Sequence, residues 1–332
     1  MSEKKVIKED AHSIVWRYYV NNGEATICGI GANLTGAISI PAEIGGYPVT
    51  SIGERAFQDC NGVTNIIIPN GVKRIEVEAF YACVALEAIT IPSSITSIGE
   101  RIFDFCRSLK SIFVAPGNVT YKSVDGLLLS GDGKTLISGV NGDVVVPEGV
   151  TSIGVEAFRS FSLASITIPD SVVSIGKDAF LGCDLLSITI PNGVKSIGSG
   201  AFALCHDLKS ITIPSSVISI GELAFHLCNN FESITISEGV KSIGDDAFNG
   251  CSMLVSITIP ESVTVIGKHA FGGCRRLERI VIPDSVTSIG EGAFDGCDNV
   301  KDVSVVHRDV YLRMENGILK HTTGGDILQP RQ

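Results

Sequence analysis

The chain has 332 residues, 36 acidic against 26 basic for a formal net charge of -10, and it is 44% apolar but only 6% aromatic. Few aromatics beside 36 glycines describe many short extended segments joined by tight turns, not the two or so globular domains that this length would otherwise form. No block of like charge concentrates the negative balance, so a nucleic-acid partner is excluded and the charge serves solubility.

The first twenty residues, MSEKKVIKEDAHSIVWRYYV, hold no apolar run of signal-peptide length, and no stretch is long and apolar enough to span a bilayer. The expectation is a cytoplasmic protein if this chain is complete, and a secreted or surface protein if a leader has been trimmed. Segment 1–40 is expected to end in a capping hairpin: residues 16–40, with WRYYV, NNGE and ATICGI, cover the apolar face of the first coil.

From residue 41 the chain repeats itself. Starting at Pro69, Pro92, Pro147, Pro169, Pro191, Pro214, Ser237, Pro260 and Pro283, it restates the phrase IPxxVxSIGxxAFxxCxxLxSIT in 23 residues, or 22 in the units at Pro147 and Pro169. A less regular first copy, IPAEIGGYPVTSIGERAFQDC, covers residues 40–68. Ten of the fourteen Phe residues fall in one column, from Phe57 to Phe294, and Gly follows a recurring Ile column everywhere except at Glu76. An Ile-Gly step so repeated within one chain indicates a packed side chain followed by a backbone position that turns or tolerates no Cβ. Around Leu208, Ile211 and Ile213 the spacing is that of a short strand with one face buried, which Pro214 then ends. Ala224, Phe225 and Cys228 imply a short helical or 3₁₀ turn on the opposite side. One unit cannot bury these inward positions alone, so each must stack on the next at the ~4.8 Å spacing of neighbouring strands.

Two blocks of repeats are expected, 41–115 and 147–306. Between them lies an island at 116–146, two strands around Ser130-Gly131-Asp132-Gly133, and a related island at 307–332 caps the end.

The run of SITIP, SIGxxAF and CxxL phrases, over roughly three quarters of the chain, resembles the BspA-like subclass of leucine-rich repeats. The expected fold is an α/β-type solenoid, mostly β: a leucine-rich-repeat stack of about ten 22–23-residue coils with hairpin caps. The resemblance implies a parallel-sheet solenoid of the kind found in surface or secreted proteins that engage host or matrix proteins.

Catalytic chemistry finds no foothold in the pattern. Nine of the ten cysteines share one inward column, which Phe161 fills in a single unit, and small buried thiols explain it better than disulfides or zinc. Gly29-Ile30-Gly31 precedes a strand instead of a helix, so it cannot hold a pyrophosphate, and Gly133-Lys134-Thr135 belongs to a hairpin turn. The six histidines occupy unrelated repeat positions. Asn33 and Asn118 stand in glycosylation triplets, a common chance pattern. No catalytic residue, metal ligand or cofactor is therefore assigned.

The candidate binding face is the outward side of the strands. It comprises Ser165, Ser187, Ser210, Ser233 and Ser256 in one ladder and Thr167, Thr189, Thr212, Thr235 and Thr258 in another, with Phe113 and Arg279 as substitutions in the Thr and Ser columns. Good β-formers in cross-strand pairs account for the repetition itself, while broad solenoid surfaces are where extended partners dock. The expected function is a monomeric, non-catalytic module that binds a protein ligand through this face. The alternative is a glycan or ordered-lattice binder that uses the hydroxyl ladders.

Overall fold

The computed structural model describes the backbone of residues 4–9, 14–31, 34–300, 302–305, 311–315 and 318–322, and the side chains of 14–31 and 34–300. It is a mostly-β solenoid of about 11 turns, without a helix among the described residues. Its contacts divide it into two compact units, residues 1–172 and 173–332.

In the first unit each coil contributes two strands. The SI step of the repeat forms a two-residue strand, so Arg74–Ile75 pairs in parallel with the end of Tyr47–Ile52 on one side and with Ser97–Ile98 on the other. The SITI step forms a longer one, and Thr35–Ser39, Gly62–Ile67, Ala88–Ile91 and Ser111–Val114 build a second parallel sheet. Ile14–Asn21 and Glu24–Ile30 form an antiparallel hairpin whose inner strand pairs in parallel with Tyr47–Ile52. Trp16, buried, meets the Phe57 ring edge-on at 6.3 Å. A further strand, Lys4–Glu9, adds antiparallel to the hairpin; nothing in its sequence signalled it.

The island is a three-stranded meander, Tyr121–Val124, Leu127–Ser130 and Thr135–Ser138, and its last strand pairs in parallel with Ser152–Ile153. It thus imitates one coil. Gly139 N donates to Ala157 O, as the Phe57 amide does to Ala79, so Gly139 stands where a coil would place Phe. A Cβ there would lie 2.0 Å from the Phe158 ring. The tip holds no phosphate loop: Asp132 accepts from the Ser130 hydroxyl and the Lys134 amide, closing a turn with Gly133 at φ 72°.

The second unit repeats the plan. Six two-residue strands run from Ser174–Ile175 to Ser288–Ile289 in one parallel sheet, and Ser210–Ile213, Ser233–Ile236, Ser256–Thr258, Arg279–Ile282 and Asp302–Val305 form the other. Tyr311–Glu315 and Ile318–Thr322 make an antiparallel hairpin. Of the last island, residues 307–310, 316–317 and 323–332 lie outside the described residues.

The turn side corrects the sequence reading. No helical turn forms at AFxxC; two left-handed residues per coil bend the chain instead. One precedes the recurring Ala, for example Leu223 at φ 56°, and the other precedes the Cys column, for example Leu227 at φ 56°. Between them amides alternate in duty. Those of Leu223, Phe225 and Leu227 donate to Asp245, Ala247 and Asn249 of the next coil, while those of Ala224, His226 and Cys228 close three-residue turns onto Gly221, Leu223 and Phe225. A helix would spend all these amides within the coil and leave no ladder between coils.

The core follows from the columns. Phe180, Phe202, Phe225, Phe248, Phe271 and Phe294 stack at centroid separations of 5.1–5.3 Å, and Phe57, Phe80 and Phe103 do so in the first unit at 5.4 and 5.8 Å. The Gly after the Ile column serves close approach, not its φ, at Gly99, Gly154, Gly198, Gly221, Gly244, Gly267 and Gly290: a Cβ on Gly221 would lie 2.6 Å from the Gly198 carbonyl carbon.

Candidate binding face

Along each longer strand the alternating pleat sends Ile inward and Ser or Thr outward. In the second unit Ile211, Ile213, Ile234 and Ile257 are buried, and Ser210, Thr212, Ser233, Thr235, Ser256 and Thr258 are all exposed. Register is strict: Ser210 pairs with Ser233 and Thr212 with Thr235, Ser233 pairs with Ser256, and Ser256 with Arg279. Arg279 is exposed at the end of this Ser ladder. Ser187 and Thr189 are exposed as well, but Ser187 reaches the sheet only through an isolated bridge to Ser210, and no longer strand forms around Thr189.

The remaining three residues belong to the first unit. Ser165 and Thr167 lie on a two-stranded sheet, opposite Asp143 and Val145, and the Ser165 hydroxyl donates to Asp143 at 2.6 Å. Phe113 lies on the four-stranded sheet opposite Thr90, and Thr90 in turn faces Ile67. Phe113 and Ile67 are each 52% exposed. The structure therefore divides the proposed set among three sheets and a bridge.

Ile67 and Val145 were missed. Both occupy the Thr column, in NIIIP and DVVVP, and Val145 is 64% exposed. Column alignment could have found them, but a run of three apolar residues hides which one faces out. The outward Thr column of the first unit thus mixes apolar Ile67, Phe113 and Val145 with Ser39, Thr90 and Thr167, whereas that of the second carries hydroxyls at Thr212, Thr235 and Thr258.

The chemistry-bearing residues set aside in the sequence have structural duties. All ten cysteines are free, eight of them buried, with Cys28 and Cys60 half-buried. The column thiols point back along the stack: Cys83 Sγ donates to Phe57 O at 3.0 Å, Cys228 to Phe202 O at 3.1 Å and Cys251 to Phe225 O at 3.2 Å. Burial pushes the Cys205 and Cys251 thiols up to about 12 and raises Cys228 too, which keeps them protonated as donors. Asn118 has no side-chain amide to spare for a glycan, since it donates to Pro92 O and Ile95 O and accepts from the amides of Thr120 and Tyr121. Asn33 lies outside the described residues. Among the described residues no group of three or more His, Cys, Asp or Glu is placed to hold a metal, and no helix is long and apolar enough to cross a membrane.

Parallel strands in register, one phrase per coil and a column-built core define a leucine-rich-repeat solenoid. Six copies of the BspA-type leucine-rich-repeat region match residues 36–124, 141–237 and 219–312, and the chain belongs to that family. It is similar in fold to a leucine-rich repeat protein from Eubacterium ventriosum, with 23% identity, a TM-score of 0.65, and 92% of this chain and 97% of that one covered. It also matches a leucine-rich cell surface protein from Faecalibacterium prausnitzii at 28% identity, with a TM-score of 0.46 and coverage of 91% and 95%. No curated protein matches.

Proposed function

We propose that the chain is a non-catalytic binding module that takes a protein partner on its outward strand face, with Ile67 and Phe113 as apolar anchors. The observation that carries this reading is their placement: two large side chains, each 52% exposed, flank Thr90 on one in-register sheet. Scattered surface apolars need no explanation, but two of them in a column that otherwise favours Thr form a platform suited to a partner's own apolar groups. Adhesion at a surface is the role that membership in the family suggests.

A second reading, glycan or ordered-lattice binding, draws on the hydroxyl ladder of the second unit, where exposed Ser210, Ser233 and Ser256 stand in register. The two readings separate by mutation. A partner captured from the native environment is titrated against wild type, Ile67→Ser with Phe113→Ser, and Thr212→Arg with Thr235→Arg, with melting temperature measured beside each dissociation constant. Because all four side chains point outward, folding is expected to survive, and loss of affinity in the first variant locates the protein-binding anchors. Loss only in the Arg variant favours the hydroxyl ladder. Unchanged affinity in both well-folded variants removes the strand face as the site and moves suspicion to the island at 116–146.

A further inference from the structure

The phrase Ile-Pro-Asn-Gly-Val-Lys occurs twice in the chain, at 68–73 and at 190–195. Both copies make the same corner of a coil. Pro69 O accepts from the Val72 amide and Pro191 O from the Val194 amide, both Val side chains are fully buried, and Asn70 and Asn192 are both exposed. What differs is the glycine amide. Gly71 N donates to the Ser94 hydroxyl of the next coil at 3.1 Å, and Gly149 and Gly239, at the same corner of other coils, donate to Ser171 and Ser262 at 3.2 and 2.9 Å. All three hold a left-handed φ, of 113°, 85° and 127°. Gly193 does neither. Its amide has no hydrogen-bond partner among the described residues, although Ser216 is in place on the next coil and donates to Val194 O at 2.6 Å, as Ser94 does to Val72 O.

We propose that Asn192 is a site of self-modification, where the chain converts its own asparagine to aspartate and isoaspartate while the identical step at Asn70 is held back. A base in the solvent takes the Gly193 amide proton, and the nitrogen attacks Cγ of Asn192. The new C–N bond closes a succinimide ring as the Cγ–Nδ2 bond breaks and ammonia departs. Water then adds to either imide carbonyl. One opening gives aspartate; the other gives isoaspartate, in which the backbone runs through Cβ and Cγ. Glycine suits the attacking position because it carries no Cβ to hinder ring closure. At Asn70 the same approach must first take Gly71 N away from Ser94, which holds the rate there roughly fivefold lower, the factor that one net hydrogen bond supplies.

The other Asn-Gly steps of the coils are held by contacts of their own. Gly142 N donates to Ser162 O and Gly250 N to Gly272 O, Asn141 spends its side-chain amide on Cys106 O and Leu109 O, and Gly62 is paired in the strand ladder with Thr35. At Asn192 the isoaspartyl product lengthens the backbone between Pro191 and Val194, the two residues whose 3.1 Å hydrogen bond closes the corner.

The test incubates the whole chain in mildly alkaline buffer, digests it, and quantifies the peptides carrying Asn70 and Asn192 by mass spectrometry, with isoaspartate separated by its elution. In the native chain Asn192 is expected to convert about fivefold faster than Asn70. In denaturant the two identical phrases are expected to convert at one rate. Ser94→Ala, which frees the Gly71 amide, is expected to raise the rate at Asn70 toward that at Asn192. Equal native rates, faster conversion at Asn70, a gap that persists in denaturant, or a folded Ser94→Ala chain in which Asn70 stays as slow as in wild type would each overturn the proposal. If Ser94→Ala does not fold, the native and denatured comparisons decide alone, because both sites are read in the same molecules.

Discussion

At the scale of single residues, the repeat assigns one task to each column. Phe225 is fully buried between Phe202 and Phe248, at centroid distances of 5.3 and 5.2 Å, so its removal empties a volume that neighbouring coils cannot fill without breaking their own stacking. Phe225→Ala is expected to cost ~3–5 kcal/mol as lost burial plus cavity. Thr212→Ala, on the exposed face, is expected to stay within about 0.5 kcal/mol, and calorimetry of the two reads the difference. The Cys column has a double task, filling the core beside the Phe stack and donating to Phe carbonyls. Phe202 O accepts from both the Cys205 amide and the Cys228 thiol, so neither of its lone pairs is left dry. Thiol titration in the native state is expected to reach at most Cys28 and Cys60, with all ten appearing in denaturant; reaction of the buried eight without unfolding would contradict the column assignment.

At the scale of the element, each coil stores strain on its turn side and compensates with ladder bonds. Leu227 holds φ 56° where equivalent coils use Gly182, Gly250, Gly273 and Gly296. A left-handed Leu costs roughly 1–2 kcal/mol, and Gly forfeits about 0.5–1 kcal/mol of chain entropy. Leu227→Gly is therefore expected to be neutral or to stabilise by up to ~1 kcal/mol. Gly221 presents the opposite case, because its φ is ordinary but its Cβ position is occupied by the backbone of the coil before, at 2.6–2.8 Å. Gly221→Ala is expected to destabilise by ~1–3 kcal/mol through overpacking. Denaturant midpoints that moved together for the two variants would mean that close approach and backbone conformation had been confused. Serine does similar work at the Pro corner, where Ser216, Ser262 and Ser285 Oγ donate to the Val carbonyl of the coil before.

At the scale of the molecule, stability in such stacks is close to a sum of coil and neighbour terms, so the island is the place where that sum is broken and repaired. It restores the inward positions with Leu128 and Leu136, both fully buried, and ties back to the first block through Asn141, which bonds Cys106 O and Leu109 O. On the turn side it restores one ladder bond, from Gly139 N to Ala157 O, and beside it Arg159 reaches Asp104 at 2.8 Å. The same contrast governs recognition. A strand face with apolar anchors and few charges gives little electrostatic steering, so partner affinity on Ile67 and Phe113 is expected to vary little with salt. A steep fall in affinity between low and high ionic strength would point instead to a charged surface.

Periodicity alone determined the fold class, the inward Ile, Phe and Cys columns and the outward Ser and Thr ladders, because a phrase repeated along one chain places every copy in the same environment. The hairpin of Ile14–Asn21 and Glu24–Ile30 turns at Asn22-Gly23, whereas the sequence placed a hairpin over 16–40, of which Thr35–Ser39 joins the second parallel sheet instead. Only the tertiary structure decided what the turn side is. AFxxC has apolar spacing that a helix and a left-handed double turn both satisfy, and the choice falls to amides that must reach the next coil. It also decided where the outward face divides, since Ile67 in NIIIP and Val145 in DVVVP have identical apolar neighbours in sequence and differ from them only in which side of the pleat they occupy. The ion pairs among Glu78, Arg101, Asp104, Glu156 and Arg159 were invisible for the same physical reason: Asp104 and Arg159 are 55 residues apart, and only the folding of the island brings them to 2.8 Å.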